Sequence, residues 1–480
     1  MNRVRLLFIL LGIVCATYGL VNSDEFSVPI WLLPLVFSVG VAICKNIIIK
    51  ATPGVLTLCF LMFLRYVFTP YAYYSDGVIN TMVTTQAFLT EGLILMLYEL
   101  ILVFVALELS GRKYAIKYNS LKNDYVKYEL QLKNGFIIIL GVVLVLIYIG
   151  VVYKSLGQGL NAFLNSTYND LDEIESQFES GEGYINIVWQ SLCVWLYIYL
   201  VMREKNANDI RPSSSHIIRA ILYTVMFIIL TFIDSTGVTR WFTFVSAIAS
   251  LSCLIYLFPS YKKTVGASIL IPLAALMIFS SLVKNGGYVK GSTTVAESAE
   301  GTFGATNMDV YCNGLGNVNA TFQLANINSD INVTTVAVDF LRSIPIINHY
   351  VPKEITSTYV FHKAVGRDDQ ILPLIGQSYA YFGFLLAPLL TILIIMLVRR
   401  LDYSFYYNSS YKKYAYAFAV VWIAASPMCH NLSLIFMWLF IRIIPFYAVL
   451  ALTDKQATKS VPVRMGGGEI RISRSNSYKL

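Results

Sequence analysis

Charge is scarce in this chain. Asp, Glu, Lys and Arg make up 13% of its 480 residues, against 56% hydrophobic residues and a mean hydropathy of +0.62. That balance excludes an ordinary soluble domain, in which about a quarter of residues are charged. Histidine is rarer still: His216, His349, His362 and His430 are the full set. No HExxH pattern occurs, the seven cysteines include no CxxC, and no Cys/His cluster has metal-ligand spacing. Neither a metal site nor a disulfide scaffold is therefore indicated, and nothing calls for a cofactor. The glycine-rich phosphate loops are missing too, with no Walker A and no dinucleotide fingerprint, which excludes nucleotide chemistry of those kinds.

What the chain has instead is long apolar runs. Spans are expected near residues 6–22, 28–44, 55–70, 87–109, 135–153, 184–201, 217–233, 241–258, 265–283, 379–398, 414–427 and 432–451. A membrane helix needs about 20 mostly apolar residues, and lipid offers no partners for exposed backbone groups. The expected fold is an all-α, polytopic transmembrane helix bundle of about 12 spans. The apolar start after Arg3 and Arg5 has no convincing small-residue cleavage site, so it reads as an uncleaved first helix. Most of the 36 Lys and Arg flank the spans on one side. The other side carries only Lys154, Arg240, Lys284, Lys290, Arg342, Lys353, Lys363 and Arg367. By the positive-inside rule both termini are cytoplasmic. The net charge of +8 follows this edging and points to the lipid bilayer rather than to nucleic acid.

The expected organisation is a bundle of nine spans over 1–283, a large outer loop at 284–378, three further spans over 379–452, and a disordered cytoplasmic tail at 453–480. Within the loop, residues 285–332 are rich in Gly, Asn, Ser and Thr and read as coil. Val333, Val336, Ala337, Phe340 and Leu341 then recur at helical spacing up to Pro345, predicting an amphipathic helix on the outer rim.

Ionisable residues inside spans need a partner or a task. Arg65 and Glu91 sit at matching depths, as do Glu99 and Arg442, so each pair reads either as a structural ion pair or as part of a polar cavity. Arg240, in the turn 234–240, either snorkels or meets an anionic ligand. In the loop, Arg342, His349, His362, Lys363, Arg367, Asp368 and Asp369 gather in under thirty residues. Arginine grips diphosphate oxygens bidentately, and Asp or His can act as a base. A plain solvated loop is the alternative.

Three segments bear a family likeness: Ser235-Thr236-Gly237-Val238-Thr239-Arg240, then Arg342-Ser343-Ile344-Pro345, then Leu372-Pro373-Leu374-Ile375-Gly376-Gln377-Ser378-Tyr379-Ala380-Tyr381-Phe382-Gly383. With the late outer loop they resemble bacterial O-antigen and oligosaccharide repeat-unit polymerases of the Wzy type, over roughly 234–245 and 339–383. One departure is the acidic residue usual before Tyr in the closing motif, which is Gln377-Ser378 here. The resemblance implies a glycosyltransferase on the periplasmic face of the inner membrane. It would join polyprenyl-diphosphate-linked oligosaccharides, beside a chain-length regulator and a flippase of the same pathway. On that reading Arg240, Arg342 and Arg367 bind the diphosphates, and Asp368 or His362 is the base for the acceptor hydroxyl. An O-antigen ligase is the nearest rival; a flippase or transporter of the lipid-linked unit and a membrane acyltransferase are further alternatives.

Overall fold

The computed structural model describes residues 2–47, 52–80, 87–120, 141, 182–233, 240–288, 303–327, 331–366, 370–407, 412–453, 463–465 and 468–470. The expected span at 135–153, apart from residue 141, and the turn 234–239 lie outside these.

The bundle helices are α1 (Asn2–Val21), α2 (Leu32–Ile43), α3 (Pro53–Phe63), α4 (Thr69–Asp76), α5 (Leu89–Ser120), α6 (Glu182–Ile210), α7 (Ser214–Ile233), α8 (Arg240–Leu257) and α9 (Lys262–Tyr288). A π-helical turn, Leu64–Phe68, joins α3 to α4. Five short helices follow: α10 (Ala305–Tyr311), α11 (Leu315–Ile327), α12 (Val333–Arg342), α13 (Ser357–Val365) and α14 (Leu374–Phe382). The chain re-enters the bundle with α15 (Leu389–Tyr407), α16 (Lys413–Cys429) and α17 (Leu432–Trp438), whose π-turn Leu439–Ile443 leads into α18 (Ile444–Thr453).

Among the described residues, six helices are long and apolar enough to cross a membrane: 4–21, 53–76, 89–115, 214–231, 384–406 and 432–451. A seventh is reached if α8 and α9, bent by 116° at their junction, count as one broken span. The outward face of α1 is apolar and uncovered, as a lipid-facing helix must be.

α16 is the hub of the bundle. Every side chain in it but Tyr416 is buried, and it packs on α3, α8 and α15. Ala415, Ala417, Ala419, Ala424, Ala425 and Ser426 let neighbouring backbones close in, which is how helices associate where no hydrophobic force acts between them. Gly54 shows the tolerance: a Cβ there would stand 2.3 Å from Val420.

The two ends of the bundle differ in chemistry. At one end, charged side chains finish helix termini. Arg5 donates to the Val41 and Ala42 carbonyls at the end of α2 (2.8 and 2.6 Å). Asp402 accepts from Thr52 Oγ1, Gly54 N and Val55 N at the start of α3. Arg399 Nη2 donates to the Ile47 carbonyl at 2.7 Å, and Lys413 Nζ to that of Phe405 at 2.5 Å. The opposite end is covered by the cap α10–α14. Asp76 accepts from Ala305 N (2.7 Å), and Asn319 Oδ1 accepts from Phe88 N (3.1 Å).

In the tail, expected to be disordered, Val463–Met465 pairs antiparallel with Gly468–Ile470. Alternating Val463 and Met465 suit a short ribbon.

Candidate functional site

Two buried carboxylates hold the cap together and onto the bundle. Asp309 accepts hydrogen bonds from Tyr73 Oη of α4, from Asn80 Nδ2 (2.7 Å) and from the backbone of Gly316 and Asn317 (2.8 and 3.0 Å). It thereby closes the N-terminus of α11 with a negative charge. Burial pushes its pKa up to about 6, with the Tyr73 and Asn80 donors opposing the rise.

Asp339 organises the other half. Its Oδ1 accepts from Ser357 N (3.1 Å). Its Oδ2 accepts from Ser357 Oγ (2.5 Å), Gln377 Nε2 (3.3 Å) and Tyr381 Oη. Burial raises its pKa, against the hydrogen bonds from Ser357 and Tyr381. Gln377 Nε2 also donates to Ser357 Oγ (2.8 Å), while its Oε1 accepts from Leu432 N (2.7 Å) in the turn entering α17. The amide thus does what an acid at that position cannot: it donates to one carboxylate and accepts from a backbone N–H. The closing motif lacks its own acid, and Asp339 supplies one from the preceding segment.

Next to this hub, His430 stacks on Trp422 at 4.3 Å between ring centroids and meets Trp241 edge-on at 5.1 Å; Trp422 stacks on Trp438 at 3.6 Å. Burial pushes His430 down to about 3, so the ring is neutral. The adjoining Asn431 is the N-cap of α17, its side chain accepting from Leu434 N.

Beneath the cap lies a fully buried ion pair, Arg65 Nη1 to Glu99 Oε2 at 3.1 Å. Glu99 also accepts from Tyr66 Oη (2.9 Å) and Thr391 Oγ1 (2.7 Å), and Arg65 donates to the Pro427 carbonyl (2.8 Å) near the end of α16. Arg65 Nε and Nη2 are buried with no hydrogen-bond partner. This pairing corrects the expected one. Glu91 is exposed in the first turn of α5, where its charge suits the helix dipole. Glu99, two turns deeper, takes Arg65 instead. Arg442 lies over the Phe242 ring at 4.7 Å. Both arginines sit inside π-helical turns, a rare backbone that recurs at functional positions.

The other expected site residues fall as follows. Arg240 opens α8, its side chain outside the described residues; Arg367 and Asp368 are outside them altogether. Arg342 Nη1 donates to the Asn348 and Val351 carbonyls (2.5 and 2.6 Å), fixing the loop after α12. His362 Nε2 lies 2.9 Å from the Gln370 carbonyl. A small cleft lined by Arg5, Phe8, Phe37 and Phe104 lies at the opposite end from the cap and belongs to no part of this site. No group of three or more His, Cys, Asp or Glu able to hold a metal exists among the described residues.

Asp309 and Ser357 carried no readable signal as a site, and Gln377 and Tyr381 were marked only as members of the closing motif. Asp339 did: Thr335, Asp339 and Ser343 recur every four residues and form the buried stripe of α12, while Val333 and Leu341 are exposed at 58% and 40%. Comparison with protein families, curated proteins and solved structures found no match.

Proposed function

We propose that the chain is a polymerase of O-antigen or a related surface polysaccharide, working at the capped, base-poor end of the bundle on the periplasmic face of the inner membrane. One observation carries this reading. Two of the three segments that bear the family likeness meet, and Trp241, which follows the third, packs beside them. Asp339 of the Arg342 segment bonds Gln377 and Tyr381 of the closing motif. Gln377 bonds Leu432 N, two residues from His430, and His430 packs against Trp241, the neighbour of Arg240.

Outside the cytoplasm the energy for coupling must already reside in the glycosyl–diphosphate bond. The acceptor hydroxyl oxygen attacks the anomeric carbon of the donor, the bond to the diphosphate oxygen breaks, and polyprenyl diphosphate leaves with the electron pair. Arg240, Arg342 and Arg367 are the guanidinium groups assigned to the charge developing on that leaving group. His362, or Asp368 in the adjoining segment, takes the hydroxyl proton.

Complementation of a deletion strain tests the proposal. Loss of a polymerase leaves lipopolysaccharide bearing a single repeat unit; loss of a ligase leaves none attached. Arg240→Ala and Arg342→Ala are expected to abolish polymer ladders at normal protein level. Ladders of ordinary length in both would remove the assignment.

A further inference from the structure

One run of exposed apolar side chains is left over by the cap hubs. It begins at Leu341 in the last turn of α12 and continues through Ile346, Tyr350 and Ile355, which are 70%, 84% and 51% exposed. Scattered apolar residues on a surface are ordinary, but this run has a fixed height against the bundle. Ser343 Oγ donates to the carbonyl of Ser433 (3.1 Å), the second residue of the apolar run 432–451. The Phe340 ring meets Phe436 and Phe440 edge-on, at 5.0 and 5.8 Å between centroids. Those two lie four and eight residues into the same run, about 6 and 12 Å along a helix axis. α12 therefore ends alongside a span rather than above it, and the chain after it departs at the level of the span's end.

The backbone there is arranged as such a depth requires. Where lipid replaces water, N–H and C=O groups must find partners within the protein. The N–H groups of Ser343, Ile344, Ile347, Asn348, Tyr350 and Val351 each donate to a carbonyl three or four residues back. Pro345 and Pro352 have no N–H to satisfy. Arg342 Nη1 donates to the carbonyls of Asn348 and Val351.

We infer that residues 341–355 are immersed in the lipid leaflet on the cap side, at the boundary of headgroups and acyl chains beside the span 432–451. The occupant of this face is phospholipid, because the face continues the lipid-facing surface of that span. Phe436 and Phe440, half-buried, meet α12; Ile444 and Tyr447, further down the span, are exposed. Tyr350, with His349 and Lys353 close in sequence, supplies the amphipathic side chains that settle at headgroup level. Lipid thus holds α12 from one side while the Asp339 hub holds it from the other. Immersion of this kind needs neither a particular sidedness nor the polymerase chemistry.

The test introduces the photo-crosslinking amino acid p-benzoylphenylalanine at Ile346, Tyr350 or Ile355 of the full chain in native membranes. Irradiation is followed by mass analysis of the adducts. Val14, exposed on α1, is the lipid reference, and Ser213, exposed in the polar turn between α6 and α7, the aqueous one. Phospholipid adducts at the three positions are expected within about threefold of the yield at Val14 and about tenfold above that at Ser213. Lipid adducts no more frequent than at Ser213 overturn the immersion. Adducts to a second copy of the chain, or to another protein, in place of lipid overturn it as well.

Discussion

Removing the Asp339 carboxylate should loosen the cap, because α12, α13 and α14 meet at it. In Asp339→Ala, Ser357 loses the acceptor of both its N–H and its hydroxyl, while Ser357 Oγ still accepts from Gln377 Nε2 at 2.8 Å and Tyr381 Oη at 3.2 Å. Each orphaned buried donor costs about 1–3 kcal/mol. Part is returned, because burial disfavours the charged carboxylate, as its raised pKa records. The net is about 3 kcal/mol, or roughly a hundredfold in the population of the opened cap. When opening and closing are fast relative to cleavage, protease sensitivity follows that population. Membrane vesicles with the cap face outward should therefore show cap cleavage faster by about two orders of magnitude. Tyr381→Phe, which removes one donor and leaves the carboxylate paired with Ser357 and Gln377, should accelerate it by less than about tenfold. Cleavage of Asp339→Ala within threefold of the parent protein would refute the hub.

Glu99→Ala strands a fully buried guanidinium and should cost about 3–5 kcal/mol, read as a lowered unfolding midpoint in detergent. Arg65→Met combined with Glu99→Ala should recover most of it; a double variant no better than the single shows that the pair is not what stabilises this depth. Asp309 gives a pH dependence. Its folded pKa, about 6, lies above the ordinary 3.8, so the folded cap binds the proton more tightly. Its contribution is present below pH 4 and lost as pH rises through 6, worth about 3 kcal/mol. Protease protection of the cap should fall across that window, and Asp309→Asn should flatten the profile. Arg342→Lys keeps the charge but loses the planar fork that reaches two carbonyls, and should shorten polymer ladders without lowering protein level.

What was legible in the sequence is what adds up locally. Apolar runs and the basic residues between them are sums over neighbouring positions, and most described bundle helices fall near the expected runs; the run expected at 379–398 breaks between α14 and α15, and 285–332, expected as coil, holds α10 and α11. Burial inside the bundle is not local. α16, only 17 residues long, is indistinguishable by composition from a lipid-facing span, and only packing reveals it as the centre. The amphipathic helix shows the same limit from the other side. Apolar spacing correctly located α12 but not its inward face. The polar stripe Thr335–Asp339–Ser343 turns to the protein, where donors await, Val336 and Phe340 pack at its edge, and Val333 and Leu341 turn outward.

Depth matching between arginines and glutamates failed because the third helical run does not end near residue 70 but continues to Asp76, which sets Arg65 eleven residues from its end, level with Glu99 ten residues into α5. Arg65 also sits in a π-turn. There the chain advances differently and a side chain is re-aimed by the wider ring. Arg442 stands in the second π-turn, and neither turn is announced by Gly or Pro inside its five residues. A π-turn costs helix stability and persists where something is gained. At Arg65 the gain is visible: the guanidinium reaches across to Glu99 and to the carbonyl of Pro427 at the end of the hub helix. One cation thereby ties α3, α5 and α16 together just beneath the cap. The same re-aiming leaves two of its N–H groups without partners. The bundle thus holds a positive charge, incompletely satisfied, beside the end of the hub helix.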